Sequence, residues 1–473
     1  MLTFTNYKEI VEFIEKNDIG TISFYVIDIE GRLRNVTIPV SYFSEKIILD
    51  GIGFDASNFG YAEIEKSDMI FKPDLDFAFL DPINKEEKIL YFFCNVFSVD
   101  TGESFSQDLR HIITKSLRVL REKGIADEVK LLVELEFNIL DEIYSMRNHR
   151  EISYSVDSSE IANPQDGREM FRIAKNHGYF RSQPTDHTFY LRNEIVKTLE
   201  ELGLKIKYHH HEVAASQCEL EFNFMPIEFA ADATVLSKNI CQRIGRKHEK
   251  IISFLPKILP YEAGNGMHFH LYLLKDGKNI FDSDEGLYNL SDTSLSFLSG
   301  ILSHISSLTA FTNPTTNSYR RLVSGLEAPS KAVFAKGNRS AAIRIPGYVK
   351  DPAERRFEFR PADATCNPYL TFAAVLMAGI DGVEKNLDPR KEGFGPLETN
   401  LYKLSRKELD KIPSVPESLS EALNNLEKEN DYLTYKDVFP IQLIKKWISI
   451  KRTDIAEMRK IPHPWEIARY YDL

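Results

Sequence analysis

Cysteine is scarce in this chain: Cys94, Cys218, Cys241 and Cys366 are the four in 473 residues, and no two stand in a CxxC spacing. That excludes a disulfide framework or a thiolate zinc site and predicts ordinary thiols in a reducing cytoplasm. Long apolar runs are missing too. The most apolar helix-like stretch, 370–380, falls well short of the roughly 20 residues of a membrane span. The opening MLTFTNYKEIVEFIEKN carries charges early and has no continuous apolar segment of the kind a secretory signal needs. Positive charge is in deficit: 59 Lys and Arg face 70 Asp and Glu, a net charge of -11 that argues against a nucleic-acid surface. There is no GxxxxGK[ST] phosphate loop, and GIGF at Gly51 lacks the third glycine of a dinucleotide fingerprint. A nucleotide must therefore be held by another device.

What is present is an ordinary globular composition, 43% apolar and 27% charged, in a chain too long for one small core. Residues 1–105 read as a small α+β unit: a helix over 7–17, strands over 21–28 and 33–39 joined as a hairpin through Ile29-Glu30-Gly31-Arg32, and further strands near 76–80 and 89–99. From Asp108 the pattern turns to amphipathic helices, expected over 109–123, 188–202, 230–250 and 295–312, with strands between. Asn367-Pro368 is a helix start, Asn as cap and Pro in the first turn, and 419–428 is a further helix. The polar stretch 142–176 reads as an excursion with little regular structure.

The chemistry sits in one repeated device, functional side chains at i and i+2, which a strand points to the same face. It occurs as Glu134-Leu135-Glu136, Glu219-Leu220-Glu221, His268-Phe269-His270 and Glu358-Phe359-Arg360, each amid apolar residues. Any one such pair could be a strand end in solvent. Several together in what reads as one buried face need a common partner, because unpaired buried carboxylates are costly. A cluster of divalent cations is the simplest partner, and carboxylates with imidazoles and no thiolate suit Mg2+ or Mn2+ better than structural zinc. Arg320, Arg321, Arg339, Arg344, Arg355, Arg356 and Arg360 gather nearby in sequence. Guanidinium forks match carboxylates and phosphates, so a phosphorylated, carboxylate-bearing substrate is expected.

These segments resemble type I glutamine synthetase over nearly the whole chain: GIGFDASNFGYAEIEKSDMIFKPD, LVELEF, HHHEVAASQCEL, GNGMHFH, NPTTNSYRRLVSGLEAPSKAVFAKGNRSAAIRIP and RRFEFRPADATCNPYL follow in that family's order. The resemblance implies an α+β fold with a β-grasp-like N-terminal domain, 1–105, and a catalytic domain, 106–473, built on an open antiparallel β-barrel flanked by helices. It implies a dodecamer of two stacked rings, in which one subunit's N-terminal domain completes its neighbour's active site. It also implies a cytoplasmic enzyme with no nucleic-acid or membrane partner, joining ammonia to the γ-carboxylate of glutamate through γ-glutamyl phosphate, with ATP as co-substrate.

By matched position, Glu136, Glu212 and Glu219 resemble ligands of one metal ion, and Glu134, His268 and Glu358 ligands of a second. Phe224, His270, Arg344 and Arg356 resemble ATP-side residues. Glu136, Gly264, Arg321 and Arg360 match glutamate-binding positions, and Arg339 the arginine that stabilises the transferred phosphoryl group. Asp55, Tyr179, Glu212 and Glu327 match the ammonium site and its flap, with Asp55 and Glu327 taking the proton. Tyr402, in Asn400-Leu401-Tyr402, resembles a loop some members adenylylate, but a tripeptide is a weak match and the residues favour an ordinary surface tyrosine.

The chain departs from the family pattern at four places. Asp55-Ala56-Ser57-Asn58 stands for Asp-Gly-Ser-Ser, Ala263 for an asparagine that touches glutamate, Tyr272 for a serine near the nucleotide, and Ser216 for a glycine. These leave two acceptors open: ammonium, or an organic amine joined by a γ-glutamyl ligase paralogue.

Overall fold

A computed structural model describes residues 1–161, 172–323, 328–399, 404–409 and 411–473. Its first sheet has the order β2-β1-β5-β4-β3, from β1 Thr21–Ile27, β2 Leu33–Pro39, β3 Ile52–Asp55, β4 Asp68–Leu80 and β5 Ile89–Ser98. The β1–β2 hairpin closes where expected. Asp28 Oδ1 accepts from the amides of Glu30 (3.1 Å) and Arg32 (2.9 Å), and Gly31 takes φ 85°, a turn conformation that side chains disfavour. β1 runs parallel to β5, the β-grasp arrangement, and the helix Tyr7–Asn17 covers the sheet with Ile10 and Ile14 buried. Asn6 caps that helix by accepting from the Glu9 amide at 3.1 Å.

The large sheet follows the path β15-β16-β17-β13-β6-β10-β9. Its strands are β6 Glu128–Leu140, β9 Ile206–His211, β10 Gln217–Phe222, β13 Met267–Lys275, β15 Lys331–Lys336, β16 Ala341–Ile345 and β17 Phe357–Phe359. Short strands β11 Met225–Pro226 and β12 Ile251–Ser253 pair with β6, and β14 Lys278–Asn279 with β13. The expectation of an antiparallel sheet holds except at β15–β16, which pair in parallel. β6 is buried along nearly its whole length because helices cover one face and the polar cleft lies on the other. Phe269 of β13 packs edge-on to Phe372 of the helix Pro368–Glu384 at 5.2 Å. Asn367 caps that helix through its Oδ1 and donates Nδ2 to Ile29 O at 3.0 Å, tying it to the β1–β2 turn.

Two expectations need correction. The polar stretch after Asp141 is not irregular at its start: β7 Glu142–Arg147 and β8 Ile152–Asp157 form a hairpin. Its turn is set by Asn148 Oδ1, which accepts from the amides of Arg150 (2.8 Å) and Glu151 (2.9 Å). Its Ile143, Tyr144, Tyr154 and Val156 are strand formers masked in sequence by polar and charged neighbours. The helix expected over 295–312 is two helices, Asp292–Ser303 and Ile305–Thr312, bent by 75°. At the break His304 leaves helical geometry, contacts Asp381 Oδ2 through Nε2 at 2.7 Å and stacks on Tyr432 at 3.9 Å. Among the described residues no single helix is long and apolar enough to cross a membrane. All four cysteines are buried free thiols.

Candidate active site

The i, i+2 pairs meet because strand register aligns them. Glu134 of β6 stands opposite His268 of β13 and Glu221 of β10, Glu136 stands opposite Glu219, and His270 stands opposite Glu358, itself opposite Arg344 of β16. Polar residues thereby share one concave face while Leu135, Leu220 and Phe269 point to the helices. A cleft over that face is lined by Glu134, Glu136, Glu212, Glu219, His268 and Gly264, and from the other side by Tyr179, Arg321, Arg339, Arg344 and Arg360. Glu358 lies fully buried beneath it.

One half of this floor is neutralised from within the protein. His268 Nδ1 faces Glu134 at 3.2 Å, Glu136 at 3.6 Å and Glu358 at 3.9 Å. His270 Nε2 contacts Glu134 Oε1 at 2.8 Å, and Arg344 and Arg360 clasp the two oxygens of Glu358. Burial alone would raise the Glu134 and Glu358 carboxyls. The imidazoles around Glu134, and Arg360 with Arg344 around Glu358, overcome it and hold both below the usual range. Arg321 Nη2 donates to His268 Nε2 at 3.0 Å while Nη1 donates to Pro361 O at 2.8 Å, a reach open only because residue 266 is glycine. A Cβ there would lie 2.5 Å from Arg321 Nη2.

The other half is crowded with carboxyls. Burial first, then mutual repulsion with Glu136 and with each other or Glu134, pushes the Glu212 and Glu219 carboxyls well up. His210 is near, its ring nitrogens 3.9 Å from Glu212 and 3.7 Å from Glu219. Glu136 Oε2 accepts from the Gly266 amide at 2.8 Å and Gln217 Nε2 at 3.2 Å. A floor of converging carboxylates is what divalent cations would balance, and the oxygen-rich donor set fits Mg2+ or Mn2+. The trios Glu134–His270–Glu358 and His210–Glu212–Glu219 each bring ligand atoms within 4.8 Å of one another.

Of the nucleotide-side expectations Arg344 lines the cleft, whereas Phe224, His270 and Arg356 form a relay outside its lining. The Arg356 guanidinium lies 5.1 Å over the Phe224 ring, its Nε contacts His270 Nδ1 at 3.3 Å, and His270 reaches Glu134. Tyr272, in the serine position, packs edge-on to Phe224 at 4.8 Å. At the opposite end Tyr179 stacks on Phe180 at 4.3 Å, and Phe180 meets His210 at 4.6 Å. Asp55 is exposed on the first sheet and does not line this chain's cleft. Ala263 donates its amide to Asn176 Oδ1 at 3.0 Å. Ser216, in the glycine position, takes φ 60°, the backbone reason glycine suits that place. Glu327 and Tyr402 lie outside the described residues.

Sequence reasoning missed His210, Gln217 and Phe180. His210 was legible as the residue of His209-His210-His211 whose strand parity matches the cleft face, and Gln217 as the residue two before Glu219 on the same face of β10; Phe180 carries no signal apart from the fold.

A β-grasp sheet beside a curled sheet floored with carboxylates and imidazoles and rimmed with arginines defines the class: a fold whose cleft has donors suited to divalent ions and guanidinium groups suited to carboxylates or phosphates. Comparison with known proteins narrows it. Residues 18–99 match the glutamine synthetase beta-Grasp domain family and residues 106–470 the glutamine synthetase catalytic domain family. A glutamine synthetase of Aquifex aeolicus is 39% identical over 98% of this chain and 99% of its own, and one of Frankia alni is 39% identical over 99% and 100%. A cryo-electron-microscopy structure of Plasmodium falciparum glutamine synthetase superposes with a TM-score of 0.89 at 26% identity, covering 99% of each chain. The chain belongs to the glutamine synthetase family.

Proposed function

We propose that this protein ligates ammonia to the γ-carboxylate of L-glutamate through γ-glutamyl phosphate, giving glutamine, ADP and phosphate. The observation that carries the reading is the floor of the cleft: Glu136, Glu212 and Glu219 crowd together beside a rim of arginines, and burial with mutual repulsion pushes the Glu212 and Glu219 carboxyls up. Glu136, Glu212 and Glu219 would hold one Mg2+ or Mn2+, and Glu134, His268 and Glu358 a second. Bound there, the ions would take up charge that spreads over the γ-phosphoryl group during transfer.

The chain's own residues do the rest. Arg321, Arg360 and Gly264 orient glutamate, and Phe224, His270, Arg344 and Arg356 orient ATP. A γ-carboxylate oxygen attacks the γ-phosphorus and ADP leaves, with Arg339 steadying the transferred group. Ammonium sits against Asp55, Tyr179, Glu212 and Glu327, and a carboxylate takes its proton. Ammonia then attacks the γ-carbonyl carbon and phosphate departs. The exposure of Asp55 away from its own cleft supports its service in a neighbour's, hence a homo-oligomer, a dodecamer, with shared sites. We further assign residues 1–105 and 106–473 as the two domains.

The test uses 15N-ammonium, glutamate and ATP with Mg2+. Labelled glutamine in one-to-one ratio with phosphate is expected; phosphate release without glutamine overturns the reading.

A further inference from the structure

Behind the Glu212 end of the cleft lies a buried pair that the proposed reaction leaves unused. Glu160 follows β8 and His211 ends β9, and both are fully buried. His211 Nε2 meets Glu160 Oε2 at 2.9 Å, and Nδ1 meets the Glu212 carbonyl oxygen at 2.7 Å. Glu160 is fixed in turn. Its Oε1 accepts from the His187 amide at 2.7 Å and its Oε2 from the Ser216 amide at 2.7 Å, while the Ser216 hydroxyl meets that of Ser158. Asp186 brings a ligand atom within 4.8 Å of this pair, but its two oxygens accept from Arg192 at 2.9 and 2.7 Å, which supplies the charge a cation would. The cluster is therefore a hydrogen-bonded scaffold. Backbone is laid against its ring: the Gly178 amide donates to Val213 O at 2.9 Å and the Phe180 amide to His211 O at 3.0 Å. A Cβ on residue 178 would stand 2.7 Å from His211 Nδ1 and 2.4 Å from Glu212 O. Tyr179, between those two amides, lines the cleft with Glu212.

We propose that Glu160 and His211 are positioning residues for the nitrogen acceptor. His211 holds the Glu212 carbonyl with one ring nitrogen and carries the 178–180 backbone against its ring. One buried side chain thereby sets both Glu212 and Tyr179, the residues against which ammonium sits. Glu160 keeps that ring from turning, and a buried polar network whose members are bonded rigidifies what it touches. The inference rests on the ammonium-ligase reading above.

Two substitutions separate position from stability. His211→Asn puts an amide nitrogen where Nδ1 stands, keeping the bond to Glu212 O and leaving Glu160 unpaired; His211→Gln does the reverse. His211→Asn should melt lowest of the three proteins yet keep the ammonium KM within about twofold of wild type. His211→Gln should melt closer to wild type and raise the ammonium KM roughly tenfold, the order expected for one lost buried hydrogen bond, with the glutamate and ATP KM nearly unchanged. An ammonium KM that follows the melting temperature, or that neither variant moves, overturns the positioning role. Should neither variant fold, the near-isosteric Glu160→Gln carries the test: a selective rise in the ammonium KM supports the role, and equal rises in all three KM values or none overturn it. Wild type that makes no glutamine overturns the proposed function itself, and this inference with it.

Discussion

The side-chain amide of Asn58 donates to Asp55 Oδ2 at 2.8 Å, within the same short turn. Ser57 gives Asp55 Oδ1 two more bonds, from its hydroxyl at 2.7 Å and its amide at 2.9 Å. Those bonds, Ser57 first, hold the Asp55 carboxyl below its usual range and favour its charged form. Asn58, larger than the family's serine, thus folds back on the carboxylate instead of projecting from the turn. Asn58→Ala should raise the ammonium KM a few-fold, leave the glutamate KM unchanged, and keep kcat within about twofold. Steady-state kinetics with each substrate varied in turn would check this. A rise in the glutamate KM instead would place Asn58 elsewhere in the site.

Gly266→Ala should disable the site without unfolding the chain. The added Cβ would stand 2.5 Å from Arg321 Nη2 and 2.6 Å from His268 Nε2, forcing apart the pair that aims His268 at the carboxylates. Overpacking of this kind costs about 1–3 kcal/mol, and a displacement near 1 Å at reacting groups costs about a hundredfold in rate. Calorimetry showing a folded protein and Mn2+ titration showing weakened binding is the expected pair of results.

Protons and metal should compete at the carboxyl-crowded half of the floor. Glu212 and Glu219 have folded-state values raised above the ordinary 4.5. The folded state then holds more protons than the unfolded chain, so these groups favour folding below 4.5 and that contribution is lost as pH rises through their folded-state values. In EDTA, the melting temperature should fall as pH is raised through this window. Saturating Mn2+ should remove or reverse the fall, because bound cations favour the charged carboxylates. Melting curves across pH with and without Mn2+ decide it; parallel profiles would argue against metal at these glutamates.

Sharing of active sites has a direct assay. Asp55→Ala and Arg339→Ala should each be nearly inactive, and mixed oligomers of the two should regain part of the activity, because some interfaces pair an intact Asp55 with an intact Arg339. Verified mixed oligomers with no recovery would mean that each cleft uses its own chain throughout.

Much of this was legible before the structure. The hairpin at Ile29–Arg32 and the Asn367 cap are local, set by turn and capping chemistry, and both stand where the residues predict. The i, i+2 pairs were visible because strand parity is local too. Which pairs face each other is a matter of register between strands far apart in sequence, and only the sheet reveals that His270 rests on Glu134 and Arg344 on Glu358. The bend at His304 was hidden for the same reason: Asp381 and Tyr432, which hold it, come from distant segments. His210 is set apart from its two histidine neighbours by strand parity, and the sheet shows it opposite Glu219.

The most direct test of the account is the specificity constant for the nitrogen acceptor. Phosphate release with saturating glutamate, ATP and Mg2+ should be measured against ammonium and against a panel of alkyl amines and polyamines. The account predicts the highest kcat/KM for ammonium, with glutamine as product. A higher kcat/KM for any organic amine would contradict it.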